Sequence, residues 1–160
     1  MSPADVAYTI DGSGTDVIST ETFNAAEAVV TIDGEIEWVV ANAGGHGFYR
    51  TSYSDDLFAA LLDHVGSLDD IERYTLVSDT LGFVRNGQLS TVNFLDLVAQ
   101  FADEEEQAIW AVITGGLALI EHHALAEEAR PAFEEFVSGL VHPALDRLGW
   151  EVGDGDTDLQ

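Results

Sequence analysis

The stretch Asn42-Ala43-Gly44-Gly45-His46-Gly47-Phe48-Tyr49-Arg50-Thr51-Ser52-Tyr53 stands between two different patterns of apolar residues. Before it, short β-branched runs end in Asp-Gly turns. After it, apolar residues recur at three- and four-residue intervals, which is typical of amphipathic helices. The pattern predicts an α+β fold that is mostly α, with short N-terminal antiparallel strands followed by an antiparallel helical array of the α-solenoid, HEAT-like kind.

The part before this stretch predicts strands. Val6–Ile10 is followed by the turn residues 11–14, and the runs Ala28–Ile32 and Glu35–Ala41 flank Asp33-Gly34. An Asp-Gly pair between two β-branched runs is a strong hairpin signal. Because a few short strands cannot bury an apolar face alone, this sheet is expected to pack against other elements.

The part after the stretch predicts five helices, and the first four are opened by residues that can cap a helix. The predicted starts are Ser54, the pair Ser67 and Asp70, Ser90-Thr91, the pair Asp103 and Glu106, and about Glu127 for a fifth helix that ends near Leu148. Pro143 predicts a kink in the fifth helix, whereas Pro131 suits a first turn. The pair Gly115-Gly116 predicts close approach of a neighbouring helix or strand.

The charge of the chain excludes several classes of partner. Its formal net charge is −25, from 30 acidic and five basic residues, all of them Arg. With no basic patch, neither nucleic acid nor an anionic membrane is expected as a partner. The acids are spread along the whole chain, which favours a halophilic interpretation in which stability rises with salt. The absence of Cys excludes disulfides and thiolate metal ligands.

The N-terminal residues give no targeting signal. Met1-Ser2-Pro3-Ala4-Asp5 has neither a basic n-region nor an apolar h-region, and no apolar run reaches transmembrane length. We therefore expect a soluble, cytoplasmic protein.

Three features contain residue types that can form functional sites. The glycines at 44–47 lack the Gly-x-Gly-x-x-Gly spacing of dinucleotide loops, so a turn is predicted. His123 and Glu127 have the i,i+4 spacing of metal ligands, yet no Cys or second His pair accompanies them, which favours polar residues at a helix end. For Arg50 we favour an ion pair that ties the sheet to the helices; contact with a substrate carboxylate has no independent support.

The stretch 42–53 resembles the junction segment of aminopeptidase N-like zinc metallopeptidases, which reads Asn-x-Gly-x-x-Gly-Phe/Tyr-Tyr-Arg-x-x-Tyr. The matching residues are Asn42, Gly44, Gly47, Phe48, Tyr49, Arg50 and Tyr53. Weaker likeness in the same order covers most of residues 35–150. The resemblance implies that residues 1–50 are the C-terminal part of a β-sandwich domain. It makes residues 51–150 the first helices of a helical C-terminal domain, and 151–160 an acidic flexible tail.

The resemblance carries over no catalytic residue and no metal ligand. The family's zinc motif His-Glu-x-x-His is absent, because the chain has no His-Glu dipeptide, and the substrate-anchoring Gly-x-Met-x-Asn is excluded because the only Met is Met1. The resemblance therefore implies a non-catalytic portion of a zinc-dependent aminopeptidase, inactive alone. In the intact enzyme it would cover the active site and shape the peptide chamber.

The partners implied are the missing catalytic domain, which would hold the zinc, and peptides in the intact enzyme. The alternative is a stand-alone helical-repeat module that binds proteins or peptides. An unrelated small enzyme that uses scattered carboxylates is the least favoured hypothesis.

Overall fold

A computed structural model describes residues 4–11, 16–23 and 37–148. Its elements are the strands β1 (Ala4–Asp11), β2 (Asp16–Phe23) and β3 (Trp38–Ala41) and the helices α1 (Asp55–Leu62), α2 (Asp70–Arg85), α3 (Thr91–Val98), α4 (Gln107–His123) and α5 (Arg130–Leu148). The prediction of a mostly helical chain with five helices is confirmed. None of these described helices is long and apolar enough to span a membrane. The chain divides into two compact units, Met1–Asp79 and Thr80–Gln160.

The first unit contains an antiparallel sheet with strand order β2-β1-β3. β1 pairs with β2 from Ala4 opposite Phe23 to Asp11 opposite Asp16, and with β3 at its C-terminal half. The prediction of β1 is confirmed, whereas β2 was missed because its sequence, DVISTETF, is largely polar. The predicted strand Ala28–Ile32 and its Asp33-Gly34 hairpin lie outside the described residues, as does the tail 151–160.

The core of the first unit forms where β3 meets α1 and α2. Along β3, burial alternates, so that Trp38 and Val40 point inwards. The Trp38 indole stacks on the His64 ring with 5.3 Å between the ring centroids. Within residues 37–79, the other buried apolar residues are Ala43, Phe58, Leu61, Val65, Leu68, Leu76 and Val77. Burial on this scale fixes β3 against the helices that follow it in the chain.

The starts of α1 and α2 differ from their predictions in detail. Ser54 occupies the N-cap position of α1 as predicted, although its side chain makes no capping hydrogen bond. The predicted capping box of Ser67 and Asp70 is wrong, because Ser67 lies in a 3-10 turn. Asp69 and Glu72 form the box instead: the Glu72 N–H donates to Asp69 (2.8 Å) and the Asp69 N–H donates to Glu72 (3.1 Å).

The second unit is helical in its described part. Its core consists of Phe94, Leu97, Val98, Phe101, Ile109, Ile113, Leu117, Ile120, Phe133, Leu140 and Ala144. The predicted cap of α3 is confirmed, since Ser90 and Asn93 form a reciprocal capping box. The predicted start of α4 at Asp103 is wrong, because α4 begins at Gln107 and a turn held by the Glu104 side chain precedes it.

Two further helix predictions need correction or refinement. Glu127–Ala129 is a 3-10 turn, so α5 begins at Arg130 rather than Glu127, and it continues through Pro143 to Leu148. Of the two glycines in α4, only Gly116 has a close neighbour. A Cβ there would collide with the Phe94 ring, whereas a Cβ at Gly115 would meet open space.

Candidate interaction site at the junction segment

The junction segment, residues 42–53, leaves β3 through left-handed backbone. Asn42 has φ 64° and ψ 40°, and Gly44 and Gly45 follow with φ of 69° and 68°. Asn is among the few residues with a Cβ that adopt this conformation readily, and Gly adopts it without steric cost. The turn closes when the Gly45 N–H donates to the Asn42 carbonyl oxygen over 2.8 Å. The predicted glycine turn is confirmed.

The Asn42 side chain then fixes the next part of the loop. Its Nδ2 donates to the Gly47 carbonyl oxygen (3.0 Å), and its Oδ1 accepts from the Gly47 N–H (2.6 Å). The residue is buried, at 3% exposure, so both hydrogen bonds are shielded from water. Gly47 has no room for a side chain, because a Cβ would collide with the Tyr49 ring and lie 2.8 Å from Asn42 Oδ1.

Two hydrogen bonds tie the start of the segment to other parts of the first unit. The Tyr53 hydroxyl accepts from the Ala41 N–H over 3.2 Å, which links the end of β3 to the residues just before α1. The Gly44 N–H donates to Glu72 Oε1 of α2 over 3.1 Å. Burial raises the pKa of the Tyr53 phenol above its ordinary value.

Asp79 of α2 holds the end of the segment. Its Oδ2 accepts from the Thr51 N–H (2.8 Å) and from the Thr51 hydroxyl (3.2 Å). Arg50 Nε lies 3.7 Å from Asp79 Oδ1, which gives Arg50 the ionic partner favoured from the sequence, although 62% of its side chain is exposed. Burial raises the pKa of the Asp79 carboxyl, while the Thr51 hydrogen bonds and Arg50 oppose that rise.

An open groove of about 510 Å³ borders the segment within the first unit. Phe48, at its edge, is fully exposed, with a relative exposure of 107%, and Tyr74 of α2 is 42% exposed. The groove is lined by Asn42, Gly45, Gly47, Phe48, Tyr49, Arg50, Tyr74, Thr75, Ser78 and Asp79. This lining of aromatic rings with one exposed guanidinium suits the binding of another molecule's surface.

The seven residues singled out from the sequence have different surroundings. Asn42, Gly47 and Tyr49 lie together, while Gly44 and Tyr53 bind other parts of the unit. Two site residues that the sequence did not single out are Glu72 and Asp79, which each bind the segment from 28 residues further along the chain. Nothing in their local sequence distinguishes them from the many other acids.

His123 and Glu127, the pair with metal-ligand spacing in the sequence, do not form a site. His123 is the last residue of α4, and Glu127 opens a separate 3-10 turn, so the two do not share one helix. Glu127 instead pairs with Arg130 over 3.2 Å. Within residues 37–147, no group of three or more His, Cys, Asp or Glu side chains is placed to hold a metal ion.

Comparison with known proteins gives a family for this chain. The model of the ERAP1-like C-terminal domain matches residues 38–160. The puromycin-sensitive aminopeptidase of Caenorhabditis elegans is 28% identical over 152 residues, which cover 92% of this chain and 16% of that protein. The alanine/arginine aminopeptidase of Saccharomyces cerevisiae is 30% identical over 149 residues, covering 92% and 17%.

A plant relative agrees with these two. Aminopeptidase M1-A of Oryza sativa subsp. japonica is 30% identical over 143 residues, which cover 87% of this chain and 16% of that protein. The chain thus spans only 16 to 17% of the length of these three relatives. Since the family model matches well over half of it, the chain belongs to the ERAP1-like C-terminal domain family.

Proposed function

We propose that this chain acts as the non-catalytic C-terminal portion of a zinc-dependent aminopeptidase, an enzyme that removes N-terminal amino acids from peptides. The observation that carries the proposal is the family match over residues 38–160, together with relatives that are named as aminopeptidases and are about six times longer. In such an enzyme the chain covers the active site and shapes the peptide chamber.

The domain assignment is part of this proposal. Residues 1–50 form the end of a β-sandwich domain, residues 51–150 the first helices of an antiparallel, HEAT-like α-solenoid, and 151–160 an acidic tail. The hydrogen bonds of Asn42 and Asp79 fix the two ends of the junction segment, which supports a rigid connection between strand and helix. The seven junction residues act structurally in this proposal.

The catalytic zinc belongs outside this chain. His123 and Glu127 do not fit a zinc site, because they lie on different elements and Glu127 already pairs with Arg130. Aminopeptidase zinc sites need three protein ligands around an open position for water. The partner that supplies them is a catalytic domain, and peptides reach this chain only in the assembled enzyme.

A second candidate function is favoured by one observation. The groove beside the junction segment is open and has the fully exposed Phe48 at its edge. A stand-alone helical module could bind a protein or peptide there without any catalysis. A stoichiometric complex with a cellular protein other than an aminopeptidase would favour this alternative.

The proposal is tested by association in solution. The probe is the yeast alanine/arginine aminopeptidase truncated at the start of its matched segment, mixed with the full 160-residue chain and followed by sedimentation and calorimetry. We expect a 1:1 complex, and no release of alanine from alanine p-nitroanilide by the chain alone. Failure to associate, or zinc-dependent hydrolysis by the isolated chain, would overturn the proposal.

A further inference from the structure

We propose that the Phe48 patch, defined as Phe48, Arg50, Ile71 and Tyr74, is the surface through which this chain docks on the rest of an aminopeptidase polypeptide. The inference rests on the function proposed above and adds the contact surface. Its occupant is a part of the catalytic portion that offers an apolar pocket to the Phe48 ring and a carboxylate to Arg50.

Exposed apolar side chains are concentrated at this patch. Phe48, Ile71 and Tyr74 have relative exposures of 107%, 54% and 42%. Within the described part of the chain, only Val92 of α3 joins them as an exposed large hydrophobic residue. Phe48 and Tyr74 line the same groove, and Ile71 packs against Gly45 at its border. A cluster of this kind on an otherwise acidic surface is typical of a binding site.

The backbone on both sides of the exposed Phe48 is held by hydrogen bonds. The Asn42 side-chain amide forms two hydrogen bonds with Gly47, which directly precedes Phe48. The buried Asp79 accepts from the N–H of Thr51, which lies three residues after Phe48. The loop therefore presents Phe48 without a large loss of backbone entropy on binding. Preorganised aromatic and Arg side chains of this kind commonly supply most of the energy of an interface.

The net charge of the whole chain disfavours a second copy as the occupant of the patch. The chain carries a net charge of −25, so two copies repel each other. The groove itself contains one carboxylate, Asp79, which is only 5% exposed and is engaged by Thr51. The Arg50 guanidinium is mostly exposed and has room for a further carboxylate from a partner.

The family of the chain and the length of its relatives point to the rest of an aminopeptidase as the occupant. The family model, which describes a C-terminal domain, begins to match at Trp38. The chain covers only 16 to 17% of the length of such relatives, so most of an aminopeptidase polypeptide lies outside it. In an intact enzyme the patch and its occupant would belong to one polypeptide, which would hold them at a high effective concentration.

The test uses the yeast probe described above, two variants of the patch and one control variant outside it. Phe48→Ser and Arg50→Glu should each raise the Kd of the complex by about 30-fold. The matched control Val92→Ser removes an exposed apolar side chain elsewhere and should leave the Kd unchanged. Melting temperatures of the isolated variants check that each of them folds.

Cysteine labelling gives a second measurement, because the chain contains no Cys. The thiol of Tyr74→Cys should react freely in the isolated chain and at least tenfold more slowly in the complex, while that of Val92→Cys stays reactive in both. Adding Phe48→Ser to Tyr74→Cys should abolish the protection.

The outcomes separate the two proposals. If the wild-type chain binds the probe but neither variant weakens binding and Tyr74→Cys stays reactive, the patch is not the docking surface, and the proposed function stands. If the wild-type chain does not bind a probe whose folding has been verified by circular dichroism, both proposals fail. Self-association of the wild-type chain that Phe48→Ser abolishes would make a second copy the occupant and overturn the inference.

Discussion

Two buried carboxylates, one in each unit, hold irregular backbone, but they act over very different distances along the chain. Asp79 accepts the Thr51 N–H over 2.8 Å, from 28 residues further along. Glu104 accepts the N–H groups of the next two residues, Glu105 and Glu106, each over 2.9 Å. Asp79 and Glu104 are 5% and 6% exposed, so their burial is nearly the same.

The difference concerns what must be folded before each contact can form. The Glu104 turn needs only its neighbouring residues, although its carbonyl oxygen also accepts from Trp110 Nε1 (3.0 Å) and Arg147 Nη2 (2.7 Å). The contacts of Asp79 and Glu72 with the junction segment close long loops, which costs chain entropy that only tertiary packing offsets. Changes in the junction segment should therefore act on the stability of the first unit as a whole.

The largest expected effect is that of Gly47→Ala. The added Cβ would collide with the Tyr49 ring and approach Asn42 Oδ1. This would disrupt the packing of the loop and the two hydrogen bonds between the Asn42 side chain and Gly47. We expect a loss of about 3 kcal/mol in the free energy of unfolding, measured by urea titration. Gly66→Ala is the matched control in the same unit, because its Cβ would meet open space. A loss below about 1 kcal/mol would show that the loop adapts.

Substitutions of Asn42 separate its two roles, which are to adopt the left-handed backbone conformation and to form the two side-chain hydrogen bonds to Gly47. Asn42→Ala loses both hydrogen bonds to Gly47 and strains the backbone at φ 64°, so we expect a loss of about 2 to 3 kcal/mol. Asn42→Gly keeps the backbone conformation and should lose about 1 kcal/mol less. Urea titration of both variants gives the cost of the backbone strain and the contribution of the side-chain hydrogen bonds. Equal stability of Asn42→Gly and the wild type would mean that the hydrogen bonds to Gly47 contribute nothing.

A pair of adjacent glycines in α4 provides the comparison within the second unit. Gly116→Ala would drive a Cβ into the Phe94 ring, which is fully buried and cannot move aside freely. We expect a loss of about 1 to 3 kcal/mol for Gly116→Ala. Gly115→Ala faces open space and should gain about 0.5 to 1 kcal/mol from helix propensity. Thermal unfolding of both variants checks these opposite signs, and two losses of similar size would contradict the structure.

The local features of the fold could be predicted from the sequence, and the reason is physical. The Ser90 cap, the turn at Gly44 and Gly45 and the five helices depend on residues within a few positions of each other. The errors at Asp69 and Glu104 are also local: in an acid-rich chain several carboxylates lie within reach of each helix start, and spacing alone does not choose between them. The strand β2 was missed because few apolar residues mark it.

Only the part of the candidate site that is continuous in sequence, residues 42–53, could be predicted. The motif placed Asn42, Gly47 and Tyr49 together, and the structure shows why a glycine must stand at position 47. The contribution of Asp79 depends on how α2 packs, which no periodicity in the sequence encodes. The exposure of Phe48 was equally unpredictable, since an aromatic residue beside a strand is more often part of the core.

The smallest expected effect is the pH dependence due to Asp79, and it distinguishes this carboxylate from the other acids. Its folded-state pKa is raised, chiefly by burial, so over a window above its ordinary pKa the folded chain holds a proton that the unfolded chain releases. The contribution of Asp79 to stability is therefore greatest at low pH and falls as the pH rises through that window.

Asp79→Asn removes this titration and keeps an oxygen that can accept the Thr51 N–H. The unfolding free energy of the wild type minus that of Asp79→Asn should fall as the pH rises from about 4, and then level off above the folded-state pKa. Urea titrations of both proteins across this range check the sign. Arg50→Met should steepen the fall, because Arg50 lowers the pKa of Asp79. A difference that grows with pH would mean that the hydrogen bonds of Thr51 outweigh burial at this carboxylate.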